Sequence, residues 1–136
     1  MKPPMPCENE LPPEVLKGIR LFNRRRFFEA HEALETAWRA ERGTTRYLYQ
    51  GILQLGVGYY HLLKGNYIGA IHLFASAQKT LGTLPFYCQG IDVNQIRNQV
   101  KETALLVKSF VRHPATQSHF PISQIDIGQV NHVQRK

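Results

Sequence analysis

The chain alternates apolar and polar positions with a helical period over most of its length, and period-two strand patterns are scarce before the C-terminal tail. Five helices can be placed on this pattern. Pro12 and Pro13 suit a helix start, and Val15, Ile19 and Phe22 share one face of a first helix ending near Asn23. A second helix spans about Arg26 to Arg42 and stops at Gly43; Thr44 or Thr45 can cap a third, which runs to Lys64 and closes at the turn signal Gly65-Asn66. A fourth covers about Tyr67 to Leu81, with Ala70, Ile71, Phe74 and Ala77 inward. After the loop TLPFYCQGI, Asp92 or Asn94 opens a fifth to about Val111 with a Val93, Ile96, Val100, Ala104, Val107 stripe. Short loops between long helices make antiparallel neighbours. The expected fold is therefore all-α: a single-domain antiparallel bundle of about five helices over residues 1–112, with an extended or loose tail over 113–136.

Polar residues interrupt this pattern in two places. On the second helix, FFEAHEALETAW resembles the opening of a HExxH zinc helix, but the position four residues after His31 is Glu35. At about 100° per residue, with His31 at zero, Glu35 falls near 40°, Trp38 near −20°, Phe27 near −40° and Phe28 near 60°. His31 and Glu35 are thereby expected in the middle of the apolar face, largely buried, whereas Glu29, Glu32, Thr36 and Arg39 face solvent. Glu32, the general base of a HExxH reading, points away from His31.

The third helix is apolar around most of its circumference, yet Gln50, Gln54 and His61 lie within about 40° of one another as one polar seam. Gly51 and Gly58 on a neighbouring strip would admit a close helix. With the hairpin centred on Gly43, Glu35 lies opposite Gln50 or Gly51 and His31 opposite Gln54 or Leu55; His61 is displaced by roughly 9 Å along the axis. Two chemistries remain open. His31 and Glu35, with His61 as a weaker third ligand, make a two-histidine, one-carboxylate set for a divalent metal such as zinc or non-haem iron. Alternatively, Gln50 and Gln54 donate to Glu35 and orient His31 in a closed hydrogen-bond network, Trp38 being core with an indole N–H in need of an acceptor.

Charge changes this picture little. The net charge of +7 raises the question of phosphate binding, but Arg24, Arg25 and Arg26 form the sole basic run and no nucleic-acid module surrounds them, which argues against a nucleic-acid partner. Cys7 and Cys88 lack CxxC spacing, so neither a zinc knuckle nor a disulfide framework is expected. The N-terminus lacks the apolar run of a signal peptide, and GILQLGVGYYHLL is too short and polar to span a bilayer. The expectation is a cytoplasmic protein without a membrane partner, open to a small ligand or to homo-oligomerisation. His72, His113, His119 and His132 are expected at the surface.

His31, Glu35 and Trp38 spell HxxxExx(W/Y), and the blocks LFNRRRFFEAHEALETAW and YQGILQLGVGYYHLLKGNYIGAIHLF surround them. Over residues 21–74 the chain resembles the small bacterial and archaeal proteins classed as domain of unknown function 309. The resemblance implies an all-helical fold and a metal site at His31 and Glu35. It implies no reaction, and the tail beyond His113 lies outside it. The functional expectation is a pocket built on His31 and Glu35 that binds a divalent metal or a small polar ligand; as an enzyme it would perform metal-assisted hydrolysis or oxygen chemistry. The rival is a non-catalytic interaction module, because LLKGNYIGAIHLFASAQKTL resembles one tetratricopeptide-type hairpin, although no second copy follows.

Overall fold

The computed structural model describes residues 6–114 together with Phe120, Ile122 and Ile125. It is mostly helical: α1 (Pro13–Asn23), α2 (Phe27–Ala40), α3 (Arg46–Leu63), α4 (Tyr67–Leu81) and α5 (Val93–Arg112) follow one another as antiparallel neighbours. Each expected helix is present, and the boundaries have local causes. Pro13 occupies the first turn of α1, where a missing N–H costs nothing. Gly65, at φ 81°, ends α3; the Asn66 side chain then accepts from the Gly69 N–H at 3.0 Å to start α4. Asp92 likewise accepts from the Gln95 N–H at 2.9 Å and starts α5.

Helix α3 is the central rod. Tyr49, Ile52, Leu55 and Tyr59 are fully buried, and the glycines on either side of them admit α4. A Cβ on Gly58 would stand 2.8 Å from the Phe74 ring, and one on Gly51 would strike the Leu81 side chain, so the close approach expected of these glycines is what the structure contains. Gly18 plays the same part between α1 and α2, where a Cβ would meet Leu34 at 2.7 Å. Phe22, Phe27, Tyr59 and Phe74, one from each of the first four helices, meet edge-on or tilted with centroids 5.1–5.9 Å apart. Such contacts add directionality to a core otherwise held by burial alone.

The segment TLPFYCQGI is more ordered than a loop. Tyr87–Cys88 (β1) and Ile91–Asp92 (β2) pair antiparallel around Gln89-Gly90, both at positive φ (52° and 82°), the geometry that a two-residue turn needs to match strand twist. Cys88 forms a disulfide with Cys7, which corrects the expectation that the two cysteines stay unpaired. Their 81-residue separation conceals a partnership that folding alone creates. Disulfides of this kind persist in oxidising surroundings, so cysteine usage no longer supports a reduced cytoplasmic setting. Among the described residues, no helix is long and apolar enough to cross a membrane.

Gln89 reinforces the staple. Its N–H donates to the Cys7 carbonyl (2.6 Å) and its side-chain amide to the Glu10 carbonyl (3.0 Å), while the Tyr49 hydroxyl donates to its side-chain oxygen at 2.8 Å. At the other end of the chain, the Asn23 amide donates to the Ile125 carbonyl and accepts from the Ile125 N–H, at 2.9 and 2.8 Å, as a second peptide strand would. Ile125 is buried, and Phe120 stacks with Tyr67 and Phe110. Three tail residues are thus laid on the body; His119, His132 and the rest of ISQIDIG lie outside the described residues.

Two predictions follow from these contacts. Replacing both cysteines by alanine should destabilise the fold by about 2–5 kcal/mol, because an unfolded chain freed of an 81-residue closure regains entropy; urea midpoints of the oxidised wild type and the double variant measure this. Burial raises the Tyr49 phenol above its ordinary value of about 10, an effect larger than the opposing hydrogen bonds with Thr45 and Gln89. A raised acid favours the protonated native state, so its contribution is complete below pH ~10 and is lost as pH climbs through the folded value. Stability should fall as pH rises above ~10 more steeply in wild type than in Tyr49→Phe, and parallel profiles would contradict that origin.

Candidate functional site

The buried residues of α2 are Phe27, Ala30, Ala33, Leu34 and Ala37. On a helical wheel with His31 at zero their centre lies near −95°, so His31 and Glu35 stand at the border of the apolar face, about 95–135° from its middle. This corrects the expectation of a largely buried pair: the His31 and Glu35 side chains are 34% and 36% exposed. The three alanines mark the inner face, where small side chains let α1 lie close against α2 through Gly18. Phe28, which weighs heavily in any hydrophobic pattern, projects outward at 69% exposure.

His31 Nε2 stands 3.7 Å from Glu35 Oε2, and Arg39 Nη2 approaches the same oxygen at 3.6 Å. These are loose ion-pair distances rather than hydrogen bonds. The closed network of Glu35 with Gln50 or Gln54 is absent, since neither glutamine donates to Glu35 and Gln54 Oε1 is itself buried without a partner. The three-ligand arrangement is absent too: among the described residues no group of three or more His, Cys, Asp and Glu side chains comes together to hold a metal ion.

What the fold does bring together is an edge. His31, Glu35 and Trp38 on α2, and Arg46, Gln50, Gln54, Val57 and His61 on α3, are all half-buried, and their spacing keeps each set on one strip of its helix. Four buried polar atoms along this edge have no protein partner: His31 Nδ1, Trp38 Nε1, Arg46 Nε and Gln54 Oε1. Toward the α3 C-terminus the edge opens into a cavity of about 250 Å³ with His31 and His61 in its lining and Phe27, Phe28, Val57 and Tyr60 as apolar wall. His61 is oriented by Asn66, whose Nδ2 lies 3.3 Å from His61 Nδ1. Toward the hairpin, the Arg46 guanidinium sits 5.4 Å from the centre of the Trp38 ring, a cation–π contact.

Arg46 is the residue that pattern reading missed. It stands four before Gln50 and eight before Gln54, and extending the polar seam by one turn would have included it. Phe28, which the wheel sets on the apolar face with His31, belongs instead to the exposed apolar wall together with Tyr60. His72 and His113 are exposed, as expected.

Residues 15–73, which carry the whole of this edge, match the family model described as Domain of unknown function (DUF309), so the resemblance read from the sequence holds over α1, α2, α3 and the first half of α4. No curated protein matches the chain.

Because the Glu35 carboxylate makes only long, solvent-screened contacts, Glu35→Ala should cost less than about 1 kcal/mol. Glu29, which holds Arg26 at 2.6 and 2.7 Å on the exposed side of the helix, should give a similar small loss on replacement by alanine. Urea titration of the two variants compares them directly. A loss above about 2 kcal/mol confined to Glu35→Ala would mean that its carboxylate is sealed in a network after all.

Proposed function

We propose that the open edge of the α2–α3 hairpin is a binding site for a small polar ligand, gripped by His31, Glu35, Trp38 and Gln54. The observation that carries this reading is the row of four buried, unpartnered polar atoms on one edge. Buried donors and acceptors are satisfied in the great majority of cases, and an unsatisfied buried group costs about 1–3 kcal/mol. A ligand that offers acceptors to the indole and guanidinium N–H groups, a donor to Gln54 Oε1 and a partner for His31 Nδ1 would complete all four. His31 and Glu35, half-exposed at the same edge, would contact such a ligand from the α2 side.

A divalent metal is the other candidate occupant. His31 and Glu35, one helical turn apart, could supply two ligands, and water or a substrate would have to fill the remaining positions; the metal would then act as a Lewis acid toward a bound carbonyl or phosphoryl oxygen. A specific observation also favours the interaction reading. Exposed Phe28 and Tyr60 flank the groove, and the apolar stripe of a partner helix could lie between them.

Native mass spectrometry of untagged protein separates these cases. The polar-ligand reading expects a small molecule that is retained in wild type, released on denaturation and lost from Gln54→Ala and His31→Ala. A retained metal mass, with a melting temperature that chelation lowers in wild type but not in His31→Ala or Glu35→Ala, would give the site to a metal. Wild type that carries no extra mass and does not respond to added zinc, manganese or ferrous iron would sink both readings and leave the interaction surface.

A further inference from the structure

The antiparallel order of the helices gathers cations that are far apart in sequence. Helix α1 ends, α2 begins, α3 ends, α4 begins and α5 ends at one end of the bundle; the contact of Tyr67 with Phe110, centroids 5.1 Å apart, ties the start of α4 to the last turns of α5. Arg24, Arg25, Arg26, Lys64, Lys108 and Arg112 are all exposed at or near this end. Arg26 is occupied by Glu29. Arg24, Arg25 and Lys64 have no carboxylate partner among the described residues, and Arg25 and Lys64, 39 residues apart in sequence, line one cavity.

Between the α1–α2 and α3–α4 turns lies a cavity of about 500 Å³. Arg25 and Lys64 contribute the charged part of its lining, and Leu62, Leu63, Tyr67 and Phe120 contribute apolar wall. Pockets of about 300–1,000 Å³ that set placed polar groups beside apolar wall are the usual hosts of small ligands. Arg25 adds a second observation. It is held at φ 64°, in the left-handed region where glycine is the natural occupant, so a turn that would suit glycine carries a guanidinium instead.

We infer that this cavity binds an amphiphilic anion, with a carboxylate or phosphate head between Arg25 and Lys64 and an apolar body against Leu63, Tyr67 and Phe120. A guanidinium presents forked donors matched to either head group, and Lys64 supplies a second charge. Nucleic acid or an anionic bilayer would meet the same cations from outside, whereas the cavity sets apolar wall directly beside them in a space sized for a small amphiphile.

The test is calorimetric titration of the full chain with decanoate, decanol and acetate. Decanoate should bind one per chain, decanol about tenfold or more weaker, as the loss of the head-group charge facing Arg25 and Lys64 implies, and acetate not measurably. Arg25→Gly suits the backbone and should keep or raise the melting temperature, yet weaken decanoate about tenfold. Leu63→Ser should weaken decanoate while leaving the head-group cations in place. Equal binding of decanoate and decanol, or full decanoate affinity in Arg25→Gly, would overturn the inference. Retention by phosphatidylglycerol vesicles or a single-stranded oligonucleotide without decanoate binding would overturn it too, giving these cations to a lipid surface or to nucleic acid.

Discussion

A helix buried around most of its circumference can be approached closely only where its side chains are small, and that constraint on α3 organises the molecule. Gly51 and Gly58 open two seats for Leu81 and Phe74, so α4 lies tight against α3, while Ile52, Leu55 and Tyr59 fill the interior. With α4 on one flank of α3 and α2 on the other, and α1 drawn onto α2 by Gly18, the aromatic rings of the first four helices are brought to one place. The edge between α2 and α3 then faces outward. α2 packs chiefly on α1 and α3, and that leaves one side of it uncovered.

That uncovered side explains why the helices were more legible in the sequence than the site on them. Prolines, glycines and capping side chains act over one turn, and they announce helix limits locally: Pro13, Gly65, Asn66 and Asp92 all act at the positions where the pattern places them. Which face of α2 is inward depends on what packs there. A wheel weighted by large apolar side chains points toward Phe28 and Trp38, whereas the actual inner face joins Phe27 and Leu34 to Ala30, Ala33 and Ala37, three small residues that such a weighting discounts. The rotation of about 95° between these two readings moves His31 and Glu35 from a sealed core to a half-open border. The residue types survive this shift; the chemistry changes from a closed network to an edge with unpartnered atoms.

The disulfide was illegible for a different reason. Nothing near Cys7 or Cys88 marks either as half of a pair, because the partnership is made by Gln89, whose three hydrogen bonds bring the N-terminal segment over the β1–β2 turn and onto Tyr49. A left-handed conformation at Gln89 aims its backbone N–H at Cys7, and the staple closes on an arrangement already built from neutral hydrogen bonds. Long-range closure of this sort leaves no period or spacing in the sequence.

The cationic end of the bundle is partly ordinary helix electrostatics. Arg24 and Lys64 cap the C-termini of α1 and α3, and Arg112 lies in the last turn of α5, where the partial negative charge of the helix favours cations by about 0.3–1 kcal/mol each. Arg26 stands at the N-terminus of α2, where the dipole disfavours it, and the bidentate contact with Glu29 in the first turn offsets that. Arg25 belongs to the same helix end as Arg24: its left-handed backbone closes the C-terminus of α1, the Arg25 N–H donating to the Phe22 carbonyl and the Arg26 N–H to the Leu21 carbonyl, both at 2.9 Å. Its guanidinium has no carboxylate partner among the described residues. The helix cap explains the left-handed backbone but not the choice of arginine where glycine would fit, and because that guanidinium lines the cavity together with Lys64, the reason for it is to be sought in what the cavity holds.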